Sequence, residues 1–361
     1  MMDFEENKGV FGPSQVQQPG GTQGQDSRAM RYPDTGQVQT RTGGKGTGWR
    51  IFWGIVLAFS VLANVGLFFI VVGLVALFSV GQSRAYNEAV IEEGPRLSKI
   101  VVLSIAGEIN SEQSENVHRQ LREAREDRSI KGLIIRVNSP GGTISDSDGI
   151  YREIQKYRQE TGKPVVAFMQ GVAASGAYYA SVACDKIVAE PTVITGSIGV
   201  LMRHFVFQEL LEHKLGILPV ILTEGKKKDW PSSFKSPSEE ELQYLREKVL
   251  LPAHERFMEV VAEGRQGSLT LREVKDMADG GVLGAKEAVE KKLIDEVGYL
   301  DDAIKVSKTL AGIGKARVVE YRRVFSLSSL LSSRNNSVLK FDLNTLQELC
   351  TPQVLYLWSA Y

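Results

Sequence analysis

The chain has 361 residues, 43% apolar and 24% charged, with 43 basic and 43 acidic side chains. That length allows one large or two ordinary domains, and the balanced charge argues against a nucleic-acid surface driven by phosphate contacts. Cys184 and Cys350 lie far apart without a CxxC or CxxH partner, which excludes a disulfide framework and a zinc signature.

Residues 1–48 are rich in Gly, Gln and Thr and nearly free of aliphatic runs. A segment with so little apolar surface cannot offset the entropy of ordering, so a disordered cytoplasmic tail is expected. From Ile51 to Ser83 no formal charge occurs, and Arg50 and Arg84 bracket the run. A spanning helix needs about 20 apolar residues, so 51–80 is expected to cross a membrane. The run begins too late and is too long for a signal peptide. Trp53 fits an interfacial aromatic. Arg41, Lys45 and Arg50 precede the span, and Arg84 alone follows it closely. That bias predicts a single-pass protein of the cytoplasmic membrane, with its N-terminus in the cytoplasm and the rest of the chain outside.

Residues 81–98 read as a stalk, 99–322 as the main domain and 323–361 as a C-terminal extension. In the main domain, short β-branched runs alternate with amphipathic stretches. "KIVVLSIAG", "GLIIRVN" and "KPVVAFMQ" read as strands, while "SENVHRQLREAREDR" and "SDGIYREIQKYRQE" read as helices. The alternation predicts an α/β domain with largely parallel, buried strands. Ser238 caps one long predicted helix running to Arg265, and "GAKEAVEKKLIDEVGYLDDAIKVSKTLA" predicts a helical pair. The Ser/Asn-rich "FSLSSLLSSRNNS" has no clear pattern, whereas the terminal "VLYLWSAY" is apolar enough to pack on its own domain or in an interface.

Two loops place small residues where strands end. In "RVNSPGGTISDSDG" the adjacent glycines either form an ordinary turn or leave backbone N–H groups free to bind a developing oxyanion. In "QGVAASGAYYAS", Ser175 falls between a strand and a helix, where it either caps the helix or projects its hydroxyl as a nucleophile. A nucleophilic serine needs a base. Of the four histidines, His118 and His254 lie in charged helical patterns and are expected to face solvent. His204 and His213 flank an apolar helix, and none carries a signature tying it to Ser175. The cluster Lys226, Lys227 and Lys228 is either a solvated basic loop or a source of one deprotonated amine, since neighbouring cations disfavour charging a lysine. In an extended segment Lys226 and Lys228 share a face.

Taken together, "NSPGG", "GVAASGAYYAS", "TGSIGV" and "EGKKKD", in that order, resemble the signal peptide peptidase SppA (protease IV) family over roughly 99–310. The resemblance implies a ClpP/crotonase-like fold of repeated β-β-α units and a membrane-anchored Ser-Lys peptidase acting on apolar peptides such as released signal peptides. It further implies a homo-oligomer whose neighbours complete the groove, and no metal or cofactor. Ser175 matches the nucleophile, Lys228 the base, Ser197 the serine that orients the lysine, and Gly142 and Gly176 the oxyanion donors. Lys227 stands where the family usually has tyrosine. Two other readings compete. One is a crotonase-type acyl-CoA enzyme, with Asp146 or Asp148 as its acid; the other is a catalytically silent membrane scaffold of the same fold.

Overall fold

The computed structural model describes residues 46–80, 86–323 and 350–359, in two compact units that divide after Val80. The tail up to residue 45 and the Ser/Asn-rich stretch lie outside the described residues.

Among the described residues, the first unit holds one helix, α1 (Thr47–Val80). Its segment Gly48–Val75 has a mean hydropathy of 2.7, and none of it is buried by other protein. A helix apolar on every side needs a non-aqueous surrounding, and 28 residues rising about 1.5 Å each exceed the roughly 30 Å hydrocarbon layer. The helix is therefore consistent with a single-pass membrane anchor. Trp49, Phe52 and Trp53 cluster near its start, with ring centroids about 6 Å apart.

The second unit is a mixed α/β body. Its chain runs β1 (Tyr86–Glu92), β2 (Lys99–Ala106), α2 (Ser111–Glu126), β3 (Ile130–Ser139), β4 (Gly141–Thr143), α3 (Ile144–Thr161), β5 (Val165–Ala174) and α4 (Gly176–Ser181). Then come β6 (Lys186–Ala189), β7 (Ile194–Gly196), β8 (Leu201–Arg203), α5 (Glu239–Leu245) and α6 (Leu251–Gly264). It closes with α7 (Leu271–Met277), β9 (Val282–Gly284), α8 (Ala285–Glu290), β10 (Glu296–Val297), α9 (Leu300–Leu310), β11 (Arg317–Arg323) and β12 (Gln353–Leu357). The main sheet has the order β1-β11-β2-β3-β5-β6-β10, with β7 joining β5 to β9. From β11 to β10 its neighbours are parallel, and β1 pairs antiparallel with β11 at the edge.

Alternate residues of β2, β3 and β5 enter two separate cores, because successive side chains of a strand point to opposite faces. Val101, Leu103, Leu133, Ile135, Val165 and Ala167 pack with the helices α2, α3, α4 and α6 on one face. Ile100, Val102, Ile134, Val166 and Phe168 pack under α9 on the other. With both faces covered, these strands need continuous apolar runs, which is the pattern the sequence carries.

Three elements differ from expectation. Residues 86–92, read as stalk, form edge strand β1, where Tyr86 stacks on Tyr321 at 5.7 Å. The long helix after Ser238 is broken by a π-turn over Arg246–Leu250, just ahead of Pro252, whose missing N–H cannot join a regular ladder. The terminal "QVLYL" forms β12, the centre of a second sheet of order β4-β12-β8.

Candidate active site

Between Val137 and Ser139 of β3, the register of β5 jumps from Met169 to Ala173, with Gly171 at φ 60°. The bulge turns the end of β5 away from β6 and pairs it with β7, Ala174 opposite Gly196. Ser175 follows directly, at φ 55° and ψ −120°. Its N–H donates to Gly196 O at 2.8 Å, and its carbonyl accepts from Tyr179 N–H at 2.9 Å. Such a backbone is strained for a residue with a Cβ, by about 1–3 kcal/mol. Ser175 is buried and makes no side-chain capping bond to α4, so its hydroxyl does not serve the helix start.

The glycine turn after β3 abuts this point. A methyl group on Gly176 would lie 2.3 Å from Ser147 Oγ and 3.2 Å from Gly142 N. One on Gly142 would lie 1.9 Å from Ile109 O, and Gly141 holds φ 99°. The two loops can meet only because these positions lack side chains. Ser139 Oγ accepts from Gly141 N–H at 3.1 Å, and Ser147 Oγ donates to Thr143 O at 2.8 Å, which fixes the turn.

An extended segment crosses this junction. β12 runs antiparallel to β4, with Tyr356 opposite Gly142, and antiparallel to β8, with Leu355 opposite Leu201. The Tyr356 carbonyl oxygen is 3.0 Å from where a Gly176 Cβ would stand. Its ring packs on Tyr179 at 5.1 Å and Phe257 at 4.6 Å, and its hydroxyl donates to Ala253 O at 2.6 Å. Burial, with the Asp148 carboxylate that accepts from its hydroxyl at 2.6 Å, pushes the Tyr179 phenol far above its ordinary range. Asp146 accepts from the Thr143 hydroxyl at 2.6 Å. Both acids that an acyl-CoA reading needs are thus engaged in structural bonds.

Ser197 sits on the turn beside Ser175, at φ 51°, and lines a cavity of about 550 Å³ together with His254 and Leu357. His254, expected in solvent, instead lies within 3.3 Å of Ile198 O. Its position in a charged helix hid this, because only the packing of α6 shows which face turns inward. Tyr356 and Ser147 were likewise not singled out; the alternation in "QVLYLW" was the available signal for β12.

No hydrogen bond or ion pair links the lysine cluster to Ser175 among the described residues. Lys226 pairs with Glu240 at 2.9 Å, and Lys227 lies 3.9 Å from the Tyr244 ring centroid and 5.2 Å from that of Trp230. Lys228 is exposed on a turn, its N–H donating to Gly225 O at 3.0 Å.

Residues 157–314 match the profile of peptidase family S49, and residues 87–191 that of Clp protease. The chain is 38% identical over 251 residues to the putative signal peptide peptidase SppA of Enterococcus faecium, covering 66% of this chain and 72% of that protein. It is 36% identical over 259 residues to the chloroplastic serine protease SPPA of Arabidopsis thaliana, covering 70% and 37%. With Protease 4 of Haemophilus influenzae the figures are 34% over 222 residues, 59% of this chain and 35% of that one. On these matches and its ClpP-like α/β fold, the chain belongs to the S49 peptidases of the SppA and Protease 4 group and is a serine peptidase.

Proposed function

We propose that this peptidase is a membrane-anchored endopeptidase with a Ser175–Lys228 dyad, cleaving apolar peptides such as released signal peptides. The observation that carries the reading is the meeting of Ser175, strained and free of capping duty, with the Gly142 and Gly176 turns under an extended strand. A substrate backbone would lie where β12 lies, because β4 and β8 each offer it an edge.

In the reaction, neutral Lys228 takes the Ser175 hydroxyl proton as Oγ attacks the peptide carbonyl carbon. The N–H groups of Gly142 and Gly176 stabilise the oxyanion, each worth about 3 kcal/mol in such sites. Lys228 then passes the proton to the leaving amine, and the acyl-enzyme forms. Water, deprotonated by the same lysine, releases the acid and restores Ser175. Ser197 orients the amine.

The partners of the lysines support the choice of Lys228. Lys226 is held by the Glu240 carboxylate and Lys227 by the faces of Tyr244 and Trp230, so both amines are already engaged away from the serine. Lys228 has no such partner among the described residues. No hydrogen bond or ion pair joins it to Ser175 among the described residues, which supports a dyad assembled in a homo-oligomer, the serine from one copy and the lysine from the next. A stretch of exposed apolar side chains leading to the lysines supports this: Leu215, Ile217, Leu218, Val220, Ile221 and Leu222. The charge bias around α1 supports a topology with the N-terminus in the cytoplasm and the peptidase unit outside it.

The test is turnover of an apolar fluorogenic peptide by the full-length protein in detergent. Ser175→Ala and Lys228→Ala abolish it, while Lys226→Ala and Lys227→Ala keep most of it. Wild-type rates in either of the first two variants would refute the dyad, and an inert wild type would favour a silent scaffold.

A further inference from the structure

The turn carrying Ser197 is held from several sides. Ser197 N–H donates to Gly281 O at 2.7 Å, and Ile198 O accepts from Gly280 N–H at 3.2 Å. Ile198 O also lies 3.3 Å from His254 Nε2 on α6. Since a carbonyl can only accept, Nε2 carries the proton in this contact. Gly196 O, one residue before Ser197, receives the Ser175 N–H. Nucleophile and Ser197 turn are therefore one hydrogen-bonded unit.

Two of these clasps are made by backbone groups. His254 supplies a clasp from a side chain, and that side chain reaches the same cavity as Ser197, alongside Arg246 and Asp279. Asp279 is committed elsewhere, its Oδ1 accepting from Gly281 N–H at 2.8 Å. A left-handed backbone at a serine persists only where its surroundings over-determine it. With Ser197 N pinned at one end and Ile198 O pinned twice at the other, the residues between cannot relax to an ordinary conformation.

We propose that His254 is a positioning residue for the peptidase reaction, acting through the Ile198 carbonyl to hold Ser197 in place on the cavity that both residues line. The inference rests on the proposed role of Ser197 in orienting the lysine. His254 touches no reacting atom, so its loss disturbs the turnover of bound peptide more than peptide binding.

The experiment measures kcat and KM of the full-length protein in detergent, with melting temperatures. Its variants are His254→Leu, His254→Gln, Ser197→Ala and the Ser197→Ala/His254→Leu double. His254→Leu is expected to lower kcat about tenfold, the scale of one lost hydrogen bond, with KM within about twofold. His254→Gln, whose amide nitrogen can stand near the place of Nε2, restores most of that loss. The double variant is no slower than Ser197→Ala alone, because the histidine works through the serine. A wild-type kcat in His254→Leu, or losses that multiply in the double, would overturn the proposal. Should His254→Leu melt out, His254→Gln against the equally long His254→Met decides, and equal rates for the two would overturn it. Ser175→Ala runs alongside: if that variant still turned over, the nucleophile reading would be at fault rather than His254.

Discussion

Gly142 and Gly176 leave no room for a methyl group, but for different reasons. At Gly142 the obstruction is the Ile109 backbone carbonyl at 1.9 Å, which cannot swing aside; at Gly176 the nearest atom is the Ser147 hydroxyl, which could rotate only by giving up its bond to Thr143 O, and the backbone atoms lie no nearer than 3.0 Å. Gly142→Ala should therefore destabilise the peptidase unit by about 1–3 kcal/mol, the usual range for overpacking, and inactivate it. Gly176→Ala should fold more nearly normally while losing activity. Thermal melting beside peptide turnover separates the two. Ser175 offers a sharper case. Ser175→Gly and Ser175→Ala are both expected to be dead, yet the glycine variant should melt higher by about 1 kcal/mol equivalent, because it sheds the strain at φ 55°. Equal melting would mean that the turn stores no strain. These residues were legible in the sequence as a serine and glycines at strand ends. Ser147 and His254 were not, since only the packing of α3 and α6 turns an ordinary helical serine and histidine toward the site.

The elements were largely readable because buried parallel strands need long apolar runs, and α2 and α3 carry clean helical periods. β1 was missed: an edge strand with a solvated face, "YNEAVIE", carries no apolar run. The pairing of β12 with β4 and β8 joins segments far apart in sequence, which no local pattern encodes. That pairing is testable, because Tyr356 is fully buried among aromatic rings. Tyr356→Ala should cost about 3 kcal/mol, read by denaturant unfolding. A chain ending at residue 349 should melt lower, yet cleave short apolar peptides with a higher kcat/KM, since substrate no longer competes for the same strand edges. A second junction ties the start of β2 to the end of α2, where Lys99 Nζ meets Glu88 at 2.7 Å and Asp127 at 3.0 Å. Burial acts to raise the Asp127 carboxyl, but hydrogen bonds from Ser129 and Lys99 outweigh it and bring it down to about 2. A folded-state value below the unfolded one gives stability that is present above about pH 4 and is lost as pH falls toward 2. Asp127→Asn should remove that part, about 1–2 kcal/mol after allowing for partial exposure, and flatten the melting curve across this acid window.

At the scale of the whole molecule, the burial of Ser175 and the exposure of Lys228 favour the proposed assembly of the dyad from more than one copy. Leu218 and Leu222 are 75% and 92% exposed, too much apolar surface to leave in water along one stretch. Leu218→Asp/Leu222→Asp should shift the detergent-solubilised protein to a smaller species in sedimentation and take activity with it. An unchanged sedimentation profile would reject the interface. For topology, a tag at residue 1 should be protected from added protease in sealed right-side-out vesicles. The exposed position of Lys228 has a kinetic consequence as well. If each functional centre draws on two copies, rate does not scale linearly with enzyme: at high dilution it falls with a higher power of concentration, and a newly inserted chain is latent until it meets another. Copy number in the membrane then works as a threshold, holding the peptidase silent where it is sparse and switching it on where chains accumulate.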